Sequence, residues 1–284
     1  METGLQSMTE KTNNIQEQNS ENSFKKLSIQ VGLNGLSFCV VDTVSNEILV
    51  FDKVHFKTAS TPYLMLKELK SVLNKNSTAG SKFSEVVVIH KNGLFGLVPK
   101  TLFKVEELAN YLKFNTKIMA NDHIAYDEIA NHDLVNVYIP FANINNHIFD
   151  LFGEFEFKHT GTVLISTLLN QSRASSKPFC YVHVSEKEME VVVISDKKLL
   201  FYNHFEYKTK EDFLYFLLFS LEQLEIDLEQ VQLKLFGTIE EGDEIFDLCY
   251  SYVKHVSVFV PTDSNYPLDQ LESQAIDFSA ISQM

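Results

Sequence analysis

The sequence predicts a mixed α/β protein built from two similar halves in tandem. Each half is an antiparallel three-strand meander followed by alternating helices and strands. Three observations carry this. The apolar period switches between 2 and 3.6 several times along the chain. The order hairpin, third strand, helix, buried strand, helix occurs twice. And the run from Ile48 to Thr58, ILVFDKVHFKT, lies against the run from Leu199 to Thr209, LLFYNHFEYKT, at a constant offset of 151 with nearly all apolar positions coinciding. A repeat this long means two similar domains, not a solenoid of short units.

The elements follow in order. Ser28 to Leu33 and Leu36 to Val41 read as strands, joined at Asn34-Gly35, a hairpin signal because both residues tolerate positive φ. Ile48 to Phe56 is a third strand. Thr61 caps a helix with Pro62 at its first position and Met65, Leu66, Leu69, Val72 and Leu73 at helical spacing. Glu85 to Ile89 is a β-branched run of the buried-strand type. Phe95 to Phe103 is extended around Pro99, Val105 to Leu112 is a short helix, and residues 115–133 stay unassigned. Val135 to Ile139 is a strand, and Phe141 to Phe152 a helix stopped by Gly153.

In the second half, Phe155 to His159 is a short strand and Thr162 to Leu169 an apolar helix. Phe179 to Val184, Met189 to Ser195 and Leu199 to Tyr207 are strands, with turns at Ser185–Glu188 and Asp196–Lys198. Thr209 caps a helix running to about Leu224. Val231 to Phe236 is a strand, Glu241 to Val253 a helix and Val256 to Val260 a last strand. The expected organisation is a disordered tail at 1–23, a first half at 24–153, a second half at 154–260 and an acidic tail at 261–284.

Composition narrows the function classes. The chain has 284 residues with 24 Lys+Arg against 38 Asp+Glu, a formal charge of −14, and Arg173 is its one arginine. Arginine is the side chain best suited to bidentate phosphate and guanine contacts, so this balance argues against a nucleic-acid surface. A hydrophobic content of 45% is ample for a core. Cys39, Cys180 and Cys249 are far apart with no CxxC pair, which excludes a thiolate zinc site and a dithiol redox motif and points to buried free thiols in a reducing compartment. No run approaches the roughly 20 apolar residues of a membrane span. The expectation is a cytoplasmic protein.

The runs Leu27–Val31, Gly35–Phe38 and Val41-Asp42, with Leu97-Val98-Pro99, Leu102-Phe103 and Leu112–Asn115, resemble an uncharacterised bacterial family described as a domain of unknown function with a duplicated actin-like fold. The resemblance covers about residues 24–260. It implies two ribonuclease-H-like halves in the actin-like ATPase architecture, which sugar kinases, heat-shock ATPases and pilus and cell-division actin homologues share. Active members of that superfamily place Asp-x-Gly on the first strand of each half. The acid works through magnesium, and the glycine lets backbone N–H groups approach phosphate.

Here the first-half match is Gln30-Val31-Gly32, where the acid is a neutral amide; a second register, Leu33-Asn34-Gly35, also lacks it. The second-half equivalent, Val182-His183-Val184 and then Ser185–Glu188, has no glycine, and Glu186 and Glu188 would repel a triphosphate. The adenosine turn is reduced to Gly237 and the separate Gly242. Gln30, Gly32, Asn34, Gly35 and Gly237 are therefore the candidate cofactor-binding residues of degenerate loops, with no catalytic or metal-ligating set assigned. Asp42 is the one nearby acid that could stand in for the lost aspartate.

Two other constellations stand out. In Asp122–Asp133, a helix would pair His123 with Asp127 and Glu128 with His132 at i,i+4 as metal-ligand types, but on different faces; a solvated connector is the plainer reading. Phe213, Tyr215, Phe216 and Phe219 cover more than one face of a helix, as core packing or as a docking face. The expected role is non-catalytic binding or scaffolding with a protein partner and no cofactor. The alternative is a divergent ATP- and magnesium-dependent kinase or ATPase using the interdomain cleft.

Overall fold

A computed structural model describes residues 24–259 apart from 57–59, 77, 79, 130, 131, 173, 174 and 176. The tails expected at 1–23 and 261–284 lie outside the described residues.

The first meander is β1 (Lys25–Gly32), β2 (Gly35–Asp42) and β3 (Glu47–His55). Helix α1 (Pro62–Lys75) crosses back over it, and β4 (Glu85–Lys91) joins β1 in parallel. A small antiparallel sheet follows from β5 (Phe95–Pro99), β6 (Ala125–Ile129) and β7 (Leu134–Tyr138), with the short α2 (Leu108–Leu112) packed on it. Helix α3 (Ala142–Phe152) leads to β8 (Glu156–His159), which pairs parallel with β4. Helix α4 (Thr160–Gln171) then enters the second sheet. The chain continues through β9 (Phe179–Val184), β10 (Glu188–Ser195), β11 (Lys198–Glu206), α5 (Lys210–Gln223), β12 (Gln232–Gly237), α6 (Glu244–Tyr250) and β13 (His255–Val258), whose strands form that sheet.

The two sheets have one topology. Their strand orders are β3-β2-β1-β4-β8 and β11-β10-β9-β12-β13, with the outer pairs antiparallel in the meander and parallel beyond it. Both meanders carry a register shift at the same place, between Val40 and Val41 opposite Ile48, and between Val193 and Ile194 opposite Leu199. Helices α1 and α5 both span 14 residues and are capped by the Thr61 and Thr209 side chains. The buried Met65, Leu69, Val72 and Leu73 of α1 match Phe213, Leu217, Ser220 and Leu221 of α5 at an offset of 148, and α5 also buries Leu214. The offset narrows from 151 because the first connection from strand to helix is three residues longer.

The structure corrects four readings. The hairpin loop is Leu33-Asn34, neither with positive φ, and Gly35 already belongs to β2. There the glycine is needed because a Cβ would sit 2.6 Å from the Val54 carbonyl oxygen. The positive-φ pair falls instead at Asp196-Lys197, the two-residue turn that matches strand twist. Residues 125–129 are a strand, so His123 and Asp127 do not share a helix face. Strand β8 belongs to the first sheet, although the sequence sets it in the second half. And α6 is seven residues, shorter than the span from Glu241 to Val253.

Helix α4 is the joint. Its Val163, Leu164, Ile165, Leu168 and Leu169 are buried, and it touches β4 and β8 of one sheet, β10 and β11 of the other, and β6 of the small sheet. An apolar circumference is what a helix sandwiched between layers requires. Gly161 lets the helix approach the Tyr202 ring, into which any Cβ would run. Asp127 ties β6 to this helix: it accepts from the Thr162 hydroxyl at 2.7 Å, the His159 amide at 2.9 Å and the Tyr138 hydroxyl at 3.0 Å. Burial nevertheless pushes its carboxyl above the usual range. All three cysteines are buried and unbridged, and burial drives the Cys39 and Cys249 thiols up to about 12.

Two histidines are fully buried against the same joint. His90 contacts Asn145 Oδ1 through Nε2 at 2.9 Å and accepts the Phe141 amide on Nδ1 at 3.2 Å. His159 donates from Nε2 to the Asn92 carbonyl at 2.9 Å and accepts the Gly161 amide on Nδ1 at 3.0 Å. Burial pushes His90 down to about 3 and His159 to about 4, from 6.5. Between pH 6.5 and 4 the unfolded chain therefore binds protons that the folded chain refuses. Stability is complete above 6.5 and falls on acidification through that window, by on the order of 3 kcal/mol per histidine; the raised Asp127 opposes this in part. Urea unfolding at pH 7.5, 6, 5 and 4.5 reads the slope, and a flat profile would contradict it.

Candidate functional site

The cleft between the sheets is defined by strand ends. Across the last residue of β1, Gly32, stands the last residue of β4, Lys91; across the last residue of β9, Val184, stands the last residue of β12, Gly237. The β1–β2 loop and the β9–β10 loop meet here. Gln30, Gly32, Asn34 and Gly35 from one side and Ser185, Glu186, Lys187 and Glu188 from the other line one narrow space, with Lys53, His55 and Lys91. Four of the five residues singled out from the sequence are thus brought together. Gly237 is not among the lining residues. Its φ of +98° and its contact with Val184 and His183, where a Cβ would overlap both, account for the glycine.

At the centre is a buried ion cluster. Lys91 Nζ lies 2.9 Å from the Ser185 hydroxyl, 3.2 Å from Glu188 Oε2 and 3.9 Å from Glu190 Oε2. The Asn34 amide donates to the other Glu188 oxygen, Oε1. Glu190 has no solvent exposure; it takes the Tyr202 hydroxyl at 2.9 Å and His183 Nδ1 at 3.0 Å. Burial alone would raise the Glu190 carboxyl, but the His183 hydrogen bond and the Lys91 ammonium outweigh it and hold the group well below the usual range. An ionised carboxylate only accepts, so His183 Nδ1 carries the hydrogen. His183, Glu190 and His204 stand in register on three adjacent strands. His204 Nε2 is 3.8 Å from Glu188 Oε1, and neither of its ring nitrogens has a hydrogen-bond partner.

Sequence reading finds Glu188 but takes it for a turn residue; it opens β10. It passes His183 only as part of a strand end that lacks glycine, and it misses Lys91, Glu190, Tyr202 and His204. The available signal was Glu188-Met189-Glu190, two acids of one strand face in an otherwise apolar strand, and a lysine closing the apolar run of β4. Asp42 plays no part: it pairs with Lys25 at the far end of the hairpin, about 23 Å away at strand rise, and caps a turn through the Val44 and Ser45 amides at 2.8 and 3.1 Å. Among the described residues no group of three or more His, Cys, Asp or Glu is placed to hold a metal ion.

Magnesium triphosphate does not fit these residues. The open space is about 40 Å³, against roughly 300–1,000 Å³ for ordinary ligand pockets. Gln30 offers a neutral amide whose buried Oε1 has no partner. Lys91, the one buried lysine among the described residues, is already matched by two carboxylates. A wider hollow of about 330 Å³ lies past Gly237, lined by Lys210, Thr238, Ile239, Asp243, Glu244 and Ile245, and Lys210 there is bridged to Glu244 at 2.9 Å. It shares no residue with the cleft.

Removing one partner of a buried ion pair leaves an uncompensated charge and typically costs about 3–5 kcal/mol. Lys91→Met is expected to lose that much. Combining it with Glu188→Gln is expected to recover part, because the orphaned carboxylate goes too. Urea titration of the two singles and the double measures the coupling, and additive losses would show that the contact carries no energy.

Comparison with known proteins gives the fold its place. A crystal structure of a Bacteroides thetaiotaomicron protein with an actin-like ATPase fold and unknown function superposes with a TM-score of 0.78 at 19% identity, covering 93% of this chain and 98% of that one. A PilM–PilN type IV pilus biogenesis complex contains a chain that matches with a TM-score of 0.60 at 11% identity, covering 90% and 96%. No curated protein matches the sequence. The fold is therefore that of the actin-like ATPases, with ribonuclease-H-like halves, and the family described as protein of unknown function (DUF3822) matches residues 12–256, so the chain belongs to that family.

Proposed function

We propose that this protein is a non-catalytic member of the actin-like fold that works by binding a protein partner in the cytoplasm, with no nucleotide cofactor. The observation that carries the reading is the Lys91–Glu188–Glu190 cluster: side chains of the protein itself supply the negative charge where a phosphate would need to sit. Gln30, Gly32, Asn34 and Gly35 then serve to hold the two loops together, through the Asn34–Glu188 hydrogen bond and through close strand packing. A cleft that carries its own counter-charges has no differential affinity through which ATP could move it.

Two further features support the reading. One structural relative is a chain of a PilM–PilN type IV pilus biogenesis complex, although a shared fold is weak evidence of a shared role. And no helix of the described residues is long and apolar enough to cross a membrane, which is compatible with a cytoplasmic protein. The rival, a divergent kinase or ATPase, has one feature in its favour, the hollow past Gly237, and that hollow presents Asp243 and Glu244.

Calorimetric titration with magnesium-ATP separates the two. The expected result is no saturable heat up to about 1 mM nucleotide. Binding tighter than about 100 μM, abolished by Gly32→Glu, would overturn the non-nucleotide reading. Adenosine titrated alone tests the hollow, where binding abolished by Thr238→Trp would favour the rival.

A further inference from the structure

The duplication supplies an internal control for the outer surface. Helices α1 and α5 occupy equivalent places, and four buried residues of each match at an offset of 148. At that same offset Lys67 of α1 stands where α5 has Tyr215, and Ser71 stands where it has Phe219. In α1 both positions are exposed and polar, as a solvated helix face should be. In α5 both are aromatic and still exposed, Tyr215 by 61% and Phe219 by 44%, with their rings stacked at 5.9 Å. The fold thus does not require aromatic side chains here. Two adjacent large rings left in water cost free energy that a partner would recover.

The surroundings state what kind of partner. Residues 210–254 hold eleven acidic and three basic side chains, a net charge of −8 out of −14 for the whole chain. The three lysines are engaged: Lys210 with Glu244, Lys254 with Glu229, and Lys234 with the Ser257 hydroxyl. On α5 the aromatic pair is bracketed by exposed Glu211 and Glu222, four residues before Tyr215 and three after Phe219, which puts all four on one helix face. The Lys210–Glu244 bridge joins the first turns of α5 and α6, so α6 lies alongside and adds exposed Glu244, Asp247 and Tyr250. Neither end of this chain can supply the complement. Residues 1–23 have four acids and one lysine, and residues 261–284 have four acids and no base.

We propose that the outer face of α5 and α6, centred on Tyr215 and Phe219, docks a cationic amphipathic segment of another protein. Its apolar residues cover the aromatic pair and its lysines or arginines meet the acidic rim, with cation–π contact to the rings adding to the charge term. This rests on the protein-binding reading above and names its surface.

The test uses the full chain and two 14-residue helical peptides, one of leucine and lysine and one of leucine and glutamate in the same pattern. Titration followed by calorimetry should show saturable binding of the Leu/Lys peptide, weakened several-fold between 50 and 300 mM salt, and none of the Leu/Glu peptide. Tyr215→Ser with Phe219→Ser leaves the charge unchanged and should weaken the Leu/Lys peptide at least tenfold; Tyr215→Lys with Phe219→Ser, which copies α1, should abolish it. Because both positions are largely exposed, a cooperative thermal transition should persist with only a small shift in its midpoint, and it serves as the folding check. Equal binding by the two peptides, or by wild type and the double serine variant, would overturn the proposal. So would a dimer of the wild type that these variants dissociate, since the occupant would then be a second copy. Magnesium-ATP binding in the cleft would defeat the non-nucleotide reading and leave the peptide result standing.

Discussion

The arrangement of the two halves depends on one buried cation. Lys91 ends the central parallel strand of the first sheet, out of water, and the acids that balance it belong to the second sheet. Taking an ammonium and two carboxylates from water is expensive, and it is offset only where hydrogen bonds satisfy every atom. The Ser185 hydroxyl, the Asn34 amide, His183 and Tyr202 do so here. Tyr202 then reaches Gly161 at the start of α4, the helix wedged between the sheets. The ion cluster and the joint helix are therefore one packed unit, from Lys91 through Glu190 and Tyr202 to Gly161. A shift of one sheet against the other would break charge pairing and helix packing together.

The cluster exists because two equivalent strand ends diverged. Lys91 faces Gly32, and its counterpart Gly237 faces Val184. In one copy the position projects a long cation into the cleft; in the other it carries no side chain, and His183 packs against it. The opposing loops diverged in step, a two-residue turn at Leu33-Asn34 and a longer one through Ser185–Lys187 leading to Glu188.

The α/β alternation, both meanders and both capped 14-residue helices were legible in the sequence, because periodicity, Thr caps and β-branched runs are local signals. The 151-residue repeat was legible for the same reason. What was not legible depended on distance. Residues 125–129 form a strand only because β7 pairs with them and α4 takes up Asp127; taken alone, Tyr126-Asp127-Glu128 is polar enough for a loop. Strand β8 follows a helix that the sequence groups with the first half, and only its pairing with β4 reveals its sheet. The site was half legible. Its backbone positions came from motif spacing, while its chemistry came from Lys91 and Glu190, which lie far apart in sequence and look like ordinary strand-end charges until the fold joins them.

Duplication also sorts the surface. Where the two copies agree in kind, as at the buried faces of α1 and α5 or the bulges opposite Ile48 and Leu199, the shared fold is enough to explain the residue. Where they differ, packing is the same on both sides and something else must account for the choice. Two such places are the strand ends at the cleft and the outer face of α5. At the cleft, opposite charges neutralise one another inside the molecule. On α5 the acids face outward around exposed aromatic rings, and the −8 charge of residues 210–254 has no internal complement among its three lysines, each already engaged. Charge satisfied within the fold locks it; charge left on the outside, with apolar surface at its centre, is oriented toward another molecule.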